Sequence, residues 1–500
     1  MNELRITAGR CAFCHRTEGD GLSLLAGEAA YICNECVERC NVLLRAGGVP
    51  PEEQANSDKY LFQRLTQHFA PQRPQELVTA SRTYPLRQQA DLQQALDALL
   101  GERRIPDNFV GMHQEYSHQA LSIARLLEAG RSAVSAAPAQ FEDVDIGAGE
   151  TVRCLKNGLW LLDHAGARYA VMLAQKSEYG QGGDLVVEIL FAPGDNGVAL
   201  ASQVFDGLEL KLSRGSCYRG RVLSLEQQDA YSGHAPRIQV HELDGVAREA
   251  VILPESVLRT VERNVLQFAE QRAALREMGL STQKGLLFHG APGTGKTHCI
   301  RYLASRLPGH TTLLITAEGA GLLPQYMALA RLLQPALVVI EDADLLARAR
   351  TERQSACDEA MLNRLLNEMD GLRERADVFF ILTTNRAETL EPALASRPGR
   401  IDQAIEFPLP DQSLRERLVR LYAKTLTLSD SLVTDLARRT EGASPAFIKE
   451  LLRRVAQHHL DAGNPGEVTP SVVEAALHEM LFSGGTLNAH LLGAAAPQQS

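Results

Sequence analysis

Residues 290–297 read GAPGTGKT, a string whose spacing could hold the phosphates of a nucleotide. It fits the pattern G-x-x-x-x-G-K-[ST], with an apolar run at 285–289 before it and a helix-forming stretch at 296–307 after it. Backbone N–H groups of such a loop converge on phosphate oxygens, and the helix dipole favours their charge. We expect the Lys296 ammonium at the β- and γ-phosphates and the Thr297 hydroxyl on Mg²⁺. The predicted contact residues are Gly290, Ala291, Pro292, Gly293, Thr294, Gly295, Lys296 and Thr297.

Two carboxylates, Glu341 and Asp342, follow the apolar run at 337–340. Such a run is typical of a buried strand, and open α/β sheets bind ligands at the carboxyl ends of their strands. One carboxylate could complete a Mg²⁺ shell, and the other could orient or deprotonate an attacking water. We assign the water to Asp342 and keep Glu341 as the alternative base.

Three polar residues further along could meet the same phosphates. Asn385 ends the apolar run at 381–384, and Arg397 and Arg400 flank a Pro-Gly turn. Arginines on a projecting turn are suited to contacting a phosphate. A surface turn with solvated arginines is the alternative.

A second centre is predicted near the start of the chain, where Cys11-x-x-Cys14 precedes Cys33-x-x-Cys36. Eighteen residues separate the pairs, which is within zinc-ribbon spacing. Two such turns aim four thiolates at one tetrahedral Zn²⁺, and a module this small needs the metal to fold. Two disulfides or an iron–sulfur cluster are the alternatives. Cys40 and His15 lie outside the pattern, and we interpret them as a packed thiol and a solvated imidazole.

The 500 residues suffice for several domains with sizeable cores, and 45% hydrophobic and 22% charged content is ordinary for a globular protein. A net charge of −10 argues against a nucleic-acid partner. No apolar run reaches membrane-spanning length, and the start of the chain has no apolar signal core. With paired thiols, these observations predict a cytoplasmic protein that has no membrane partner.

Periodicity and turn composition predict a multidomain chain whose elements position these residues. Helical spacing is found at 91–100 and 116–127, and strand-like runs at 158–163, 168–174, 185–191, 221–225 and 237–243. Trp160 is predicted to be core. The predicted divisions are a zinc module at 1–45, a linker at 46–58, a helical segment at 59–132, a β-rich or α+β middle domain at 141–252, an α/β phosphate-loop core at 253–412, a helical lid at 413–482 and a flexible tail at 483–500.

The strings KGLLFHGAPGTGKT and LNRLLNEMDGL…ILTTNRAETLEPALASRPGRIDQAIEFPLPD resemble the AAA ATPase family over about residues 253–482. The resemblance implies ATP and Mg²⁺ as cofactors and a homo-oligomeric ring, usually a hexamer. It implies metal and catalytic-acid roles for Glu341 and Asp342 and a sensor role for Asn385. By the same resemblance, Arg397 and Arg400 enter a neighbour's site, and the turn at 370–372 signals between subunits. The lid turn that flanks the nucleotide corresponds to Gly442 and Ser444.

Two departures from the family pattern bear on function. The family's usual acid order is Asp then Glu, and the inverted order here moves each carboxylate by about 1 Å, so we expect slow hydrolysis. The family's substrate-gripping loop would fall between 316 and 335, where we predict an ordinary amphipathic helix at 322–333 instead.

The string CAFCHRTEGDGLSLLAGEAAYICNECVERCNVLL resembles the zinc-binding domain of the ClpX unfoldase. In that family the domain dimerises and docks substrates or adaptors. The tripeptide with which ClpX docks its protease is not evident, so a ClpP-type peptidase partner is not supported. We therefore predict a ring-forming ATP hydrolase that remodels or unfolds a protein partner. The alternatives are a nucleic-acid-stimulated ATPase and a slow nucleotide-gated scaffold.

Overall fold

A computed structural model gives the architecture of most of the chain. It describes residues 10–14, 16, 23–26, 31–45, 61–101, 108–113, 121–128, 134–164, 166–176, 183–215, 217–226, 237–345, 367–368, 376–388, 390, 400–463 and 466–480. The predicted linker at 46–58, the turn at 370–372, Arg397 and the tail at 483–500 lie outside these ranges.

The N-terminal module is a small hairpin followed by one helix. Strand β1 (Leu24–Ala26) pairs antiparallel with β2 (Tyr31–Cys33), and helix α1 (Asn34–Arg45) follows at once. Cys11 forms a bridge with Tyr31, which brings the first cysteine pair beside the hairpin. The hairpin thus places both pairs at one end of the module.

The middle region forms one antiparallel sheet with helices packed on it. Its helices are α2 (Leu61–Phe69), α3 (Gln89–Leu100), α4 (Ile123–Leu126) and α5 (Asp195–Ser213). Its strands are β3 (Val78–Tyr84), β4 (Phe109–His113), β5 (Ser135–Ala137), β6 (Gln140–Gly147), β7 (Glu150–His164), β8 (Ala167–Gln175) and β9 (Leu185–Phe191). The order is β3-β9-β8-β7-β4-β5, and β6 pairs with β7. Trp160 is buried in this core as predicted.

The prediction of a purely helical segment at 59–132 is wrong. Helix α3 confirms the spacing at 91–100, but β3 and β4 join the same sheet as the strands beyond residue 134. Strand β3 lies at the sheet's edge and leaves most of its residues exposed or half-exposed, so its sequence lacks the apolar alternation that marks a strand. Of the helix predicted at 116–127, residues 121–127 are described, and only Ile123–Leu126, helix α4, is helical among them.

The C-terminal half is built on a second sheet. Its strands are β10 (Val222–Glu226), β11 (Arg237–His241), β12 (Lys284–His289), β13 (Thr311–Ile315), β14 (Ala336–Ile340), β15 (Val378–Thr384) and β16 (Gln403–Glu406). They lie in the order β11-β10-β13-β14-β15-β12-β16, and all neighbouring pairs except β10–β11 are parallel. Every residue of β14 and β15 is buried, as expected of strands covered on both faces.

The strands predicted near 221–225 and 237–243 are present, but they do not belong to the middle sheet. Strand β10 pairs in parallel with β13, so the β10–β11 hairpin extends the second sheet. The predicted boundary at residue 252 therefore divides this sheet. Local spacing in the sequence indicates that a strand exists but not which sheet it joins. Here the pairing of β10 with β13 places the hairpin in the second sheet.

Helices flank the second sheet and form a bundle beyond it. Those associated with the sheet are α6 (Glu255–Glu262), α7 (Phe268–Glu277), α8 (Lys296–Arg306) and α9 (Leu323–Leu332), with a π-helical stretch at Arg263–Gln267 between α6 and α7. The bundle comprises α10 (Gln412–Ala423), α11 (Asp430–Arg439), α12 (Pro445–Asp461) and α13 (Pro470–His478). It has its own apolar core, centred on Leu436, Ile448 and Leu451. Of the helices described, none has the length and apolar character needed to cross a bilayer.

Candidate nucleotide site and cysteine cluster

A cavity of about 390 Å³ lies at the carboxyl ends of β12, β14 and β15. The phosphate loop connects β12 to α8, and its geometry depends on glycine. Gly290 has φ 148°, and a Cβ there would lie 2.3 Å from the Phe407 carbonyl oxygen. Gly293 has φ 76°, and its Cβ would lie 2.8 Å from the Ala446 Cβ in the bundle. The loop can therefore turn and approach its neighbours closely only because side chains are absent at these positions.

Lys296 is buried at the centre of the loop. Its Nζ donates to the carbonyl oxygens of Gly290 (2.8 Å) and Ala291 (3.1 Å) and to Asn385 Oδ1 (2.9 Å). Burial lowers the pKa of the ammonium, and the nearby carboxylates of Asp342 and Asp344 partly oppose that effect. A buried cation held by neutral oxygens is well placed to take an anionic oxygen instead.

The two acids after β14 have different partners. Thr297 Oγ1 donates to Glu341 Oε1 at 2.8 Å, which puts Glu341 beside the hydroxyl expected to ligate Mg²⁺. Asn385 Nδ2 donates to Asp342 Oδ1 at 3.0 Å, so Asn385 bridges Asp342 and Lys296. The geometry thus brings five predicted site residues together. It places Glu341 beside the Thr297 hydroxyl and Asp342 beside the Asn385 amide.

Asp342 adopts a backbone conformation that is rare for a residue with a side chain. Its φ is 48°, in the left-handed region, and its N–H donates to Thr383 Oγ1 at 3.0 Å. Strain of this kind, about 1–3 kcal/mol, concentrates at functional sites where the surroundings enforce it. Asp342 also lines the cavity.

The far wall of the cavity comes from the helical bundle and from the segment 250–253. Bundle residues that line it include Tyr422, Pro445, Ala446 and Lys449. Neither Gly442 nor Ser444 is among the residues that line the cavity, and their contact with the nucleotide stays a prediction. Ser444 is fully buried and its Oγ accepts a hydrogen bond from the Phe447 N–H, so it caps α12. The helix cap satisfies the Ser-Pro signal without a ligand.

The four predicted zinc ligands form one cluster. The sulfurs of Cys11, Cys14, Cys33 and Cys36 all lie within 4.8 Å of one another. Backbone N–H groups of Cys33 and Cys36 donate to Cys11 Sγ (3.3 Å) and Cys33 Sγ (3.4 Å), the pattern that supports thiolates. All four are free thiols, as is Cys40. Four sulfurs at this separation fit a tetrahedral Zn²⁺.

The pKa values of the clustered thiols show why a cation suits them. Burial raises the pKa of Cys11, but backbone hydrogen bonds from Cys14 and Cys33 outweigh it and bring the pKa to about 6. The hydrogen bond with Cys33, followed by burial, raises the pKa of Cys36 to about 12. One thiol thus ionises easily, while its neighbour is held protonated by the hydrogen bond and by burial. A divalent cation favours the thiolate form of all four ligands.

Comparisons with known proteins agree with both sites. Residues 286–409 match the ATPase family associated with various cellular activities (AAA), and residues 9–46 match the ClpX C4-type zinc finger. Proteasome-activating nucleotidase 1 of Halobacterium salinarum is 31% identical over 273 residues, which cover 52% of this chain and 67% of the relative. The chain belongs to the AAA family of ATPases. The two matches imply ATP, Mg²⁺ and Zn²⁺ as cofactors.

Other relatives match the AAA ATPase portion over a shorter span. Proteasome-activating nucleotidase of Methanosphaerula palustris is 31% identical over 229 residues, 43% of this chain and 53% of that protein. ATP-dependent zinc metalloprotease FtsH 3 of Sphaerobacter thermophilus is 34% identical over 228 residues, 43% of this chain and 46% of that protein. This AAA ATPase therefore spans about half the length of these two relatives.

Sequence inspection missed one residue at the centre of the AAA site. Asp344 is buried, and its Oδ1 accepts hydrogen bonds from Thr384 Oγ1 (2.9 Å) and the Asn385 N–H (3.3 Å). It ties the segment after β14 to the end of β15 and so positions Asn385. Its position two residues after Asp342 is the feature of the sequence that could have identified it as a site residue. His298 and the segment 250–253, which line the cavity, had no recognisable pattern.

The structure describes only one of the two arginines predicted to act on a neighbouring subunit. Arg397 lies outside the described residues. Arg400 is half-buried at the start of the segment leading into β16, and it does not line the cavity of its own chain. Its role in a neighbour's site stays a prediction.

Proposed function

We propose that this AAA ATPase assembles as a ring, usually a hexamer in its family, and couples ATP hydrolysis to the remodelling of a protein partner. The observation that carries the proposal is that the two acids contact different groups. Glu341 contacts the Thr297 hydroxyl, and Asp342 contacts the Asn385 amide. One acid is placed for the metal shell and the other for the attacking water.

The chain's own groups would act as follows. Phosphate oxygens replace the loop carbonyls and the Asn385 oxygen around Lys296, whose charge stabilises the developing negative charge on the γ-phosphate. Asn385, released from Lys296, orients the water together with Asp342, which accepts the water's proton. A divalent cation at Thr297 and Glu341 would supply charge neutralisation of the β- and γ-oxygens.

A protein partner is supported by the relatives' names and by the zinc module. The nucleotidases are named for activating the proteasome, and FtsH 3 is named a protease. In the module that resembles ClpX, Phe13 exposes 68% of its surface, so it is available to a partner or adaptor. We propose that this module recruits the substrate, and that a ClpP-type peptidase is not required.

Remodelling is favoured over threading by the segment between β13 and β14. Helix α9 occupies it, as predicted, and its aromatic residue Tyr326 is only 1% exposed. The Tyr326 hydroxyl accepts a hydrogen bond from the Leu225 N–H at 2.7 Å. An aromatic side chain held in this way cannot grip a polypeptide in a pore without leaving the core.

The test is a substrate trap. Asp342→Asn should bind ATP without turning it over, so it should capture the partner when ATP is added. The matched control is Lys296→Ala. The set of proteins that this variant captures should be the same with and without ATP. Partners are identified by mass spectrometry of tagged protein recovered with and without ATP. A captured set that is the same in both variants would count against an ATP-driven remodeller.

The inverted acid order keeps one alternative open, a scaffold that binds ATP and hydrolyses it very slowly. Single-turnover phosphate release decides between the two. Release slower than nucleotide exchange in the presence of partner would favour the scaffold.

A further inference from the structure

A second cavity, of about 720 Å³, lies where the middle sheet meets the ATPase sheet. Its wall on one side is the start of α3 and the edge strand β6, and on the other the β10–β11 hairpin and α9. The middle region and the ATPase sheet also share apolar core here, since Ile146 and Cys154 pack in the same cluster as Leu223. An occupant of this cavity would touch both parts of the chain at once.

Three side chains on this wall carry buried polar atoms that have no hydrogen-bond partner in the described part of the chain. They are Arg87 Nε, Gln89 Nε2 and Gln325 Oε1. Gln89 is only 8% exposed. Burying such a group unpaired costs about 1–3 kcal/mol, so three on one cavity wall call for a partner.

The side of the cavity near α3 is suited to an anion. Arg87 and Gln89 both offer donors there, and Gln88, at the N-cap of α3, makes no side-chain hydrogen bond to the first turn. Helix N-termini attract negative charge. Burial lowers the pKa of Arg87, and the Asp184 carboxylate opposes that effect.

Other carboxylates on the wall are already engaged. Glu142 is paired with Lys156 at 3.5 Å, and Asp143 with Arg153 at 3.3 Å. Asp145 Oδ1 accepts a hydrogen bond from the Gly147 N–H at 2.8 Å. These three carboxylates have partners other than Arg87 and Gln89. Asp184, also on the wall, is the carboxylate that acts on Arg87.

We propose that this cavity binds a small organic anion, whose carboxylate or phosphate is held by Arg87 and Gln89 and whose hydroxyl or amine donates to Gln325. Arginine recognises both acid groups through the same planar set of donors. The cavity volume is that of a small-molecule site. The site is separate from the nucleotide cavity, and the proposal does not depend on what the ATPase remodels.

The experiment uses three probes that share one carbon skeleton: glycerate, glycerol 3-phosphate and neutral glycerol. Thermal unfolding of the full-length protein is measured in saturating Mg-ADP, so that the phosphate loop is filled. At least one of the two anions should raise Tm by about 2–4 °C and glycerol should not. The preferred anion distinguishes a carboxylate ligand from a phosphate ligand.

Variants assign the effect to this cavity. Arg87→Met and Gln89→Leu should abolish the anion-dependent shift, whereas Arg82→Met, which removes an arginine bound to Glu209 and Phe205 outside the cavity, should keep it. Gln89→Leu should also raise Tm without any probe, because it removes an unpaired buried amide. If Arg87→Met fails to fold, Gln89→Leu and Gln325→Leu still test the site. No shift with either anion, or an undiminished shift in Gln89→Leu, overturns the proposal.

Discussion

Glu341 and Asp342 are adjacent in the chain, yet their side chains contact different groups. Glu341 accepts from the Thr297 hydroxyl, while Asp342 accepts from the Asn385 amide. Asp342 also has a left-handed φ of 48°. In the proposed mechanism one acid serves the metal and the other the water, so turnover rather than binding should report on Asp342.

Lys296→Ala should weaken ATP binding by about 10- to 100-fold, since a charge-assisted hydrogen bond contributes ~1.5–3 kcal/mol. Asp342→Asn should keep ATP affinity within a factor of two or so and lower turnover by about 10²- to 10⁴-fold, as loss of a general base does. ATP affinity reports the effect on binding, and steady-state phosphate release reports the effect on turnover. Lys284→Ala is the control, because its Nζ lies over Phe268, outside the cavity. Retained turnover in Asp342→Asn would transfer the base role to Glu341.

Asp344 should act through Asn385. Asp344→Ala removes the acceptor of the Thr384 O–H and of the Asn385 N–H, and the displaced amide should lower kcat on the order of 10²-fold with little change in ATP affinity. Asp344→Asn should restore most of the rate, since its amide oxygen can accept both bonds. The control is Asp411→Ala, which removes a comparable capping bond to the Leu414 N–H. A rate loss matched by Asp411→Ala would mean that Asp344 only stabilises the fold.

At the scale of elements, the cysteine module depends on a hairpin of two three-residue strands and one helix. So short a hairpin buries little apolar surface, and its folding free energy must come largely from the metal. The clustered sulfurs supply a complete tetrahedral ligand set without His15 or Cys40.

We therefore predict that the purified protein contains one Zn²⁺ per chain and that Cys33→Ser releases it. Cys40→Ser is the matched control, because Cys40 lies on α1 but outside the cluster. Metal analysis of the wild type and the two variants measures their zinc content. Full zinc content in Cys33→Ser, or none in the wild type, would refute the assignment.

At the scale of the whole molecule, Arg400 does not reach the nucleotide cavity of its own chain, so its predicted contact requires a neighbour. Mixing Arg400→Ala subunits with Lys296→Ala subunits creates some interfaces that combine an intact phosphate loop with an intact arginine. Activity should partly return, because an arginine supplied in trans contributes about 10³–10⁵ in rate. Phosphate release is measured against the mixing ratio, with mixed assemblies verified by mass. Recovery in no mixture, or full activity of Arg400→Ala alone, would contradict the arrangement.

The sequence by itself determined the chemistry that depends on short-range spacing. The phosphate loop, the acids after β14 and the two cysteine pairs were all found from spacing, because turns, helix starts and metal knuckles are formed by residues close in the chain. The cap formed by Ser444 and Pro445 at the start of α12 was readable for the same reason.

Only the tertiary structure decided the features that join distant segments. It placed β3 and β4 in the middle sheet and β10 beside β13, and it showed that Asp344 holds Asn385. It also brought Arg87 and Gln325 to one cavity across more than two hundred residues of chain. Strand partners and buried polar contacts are chosen by packing between remote residues, and no local pattern in a single sequence records that choice.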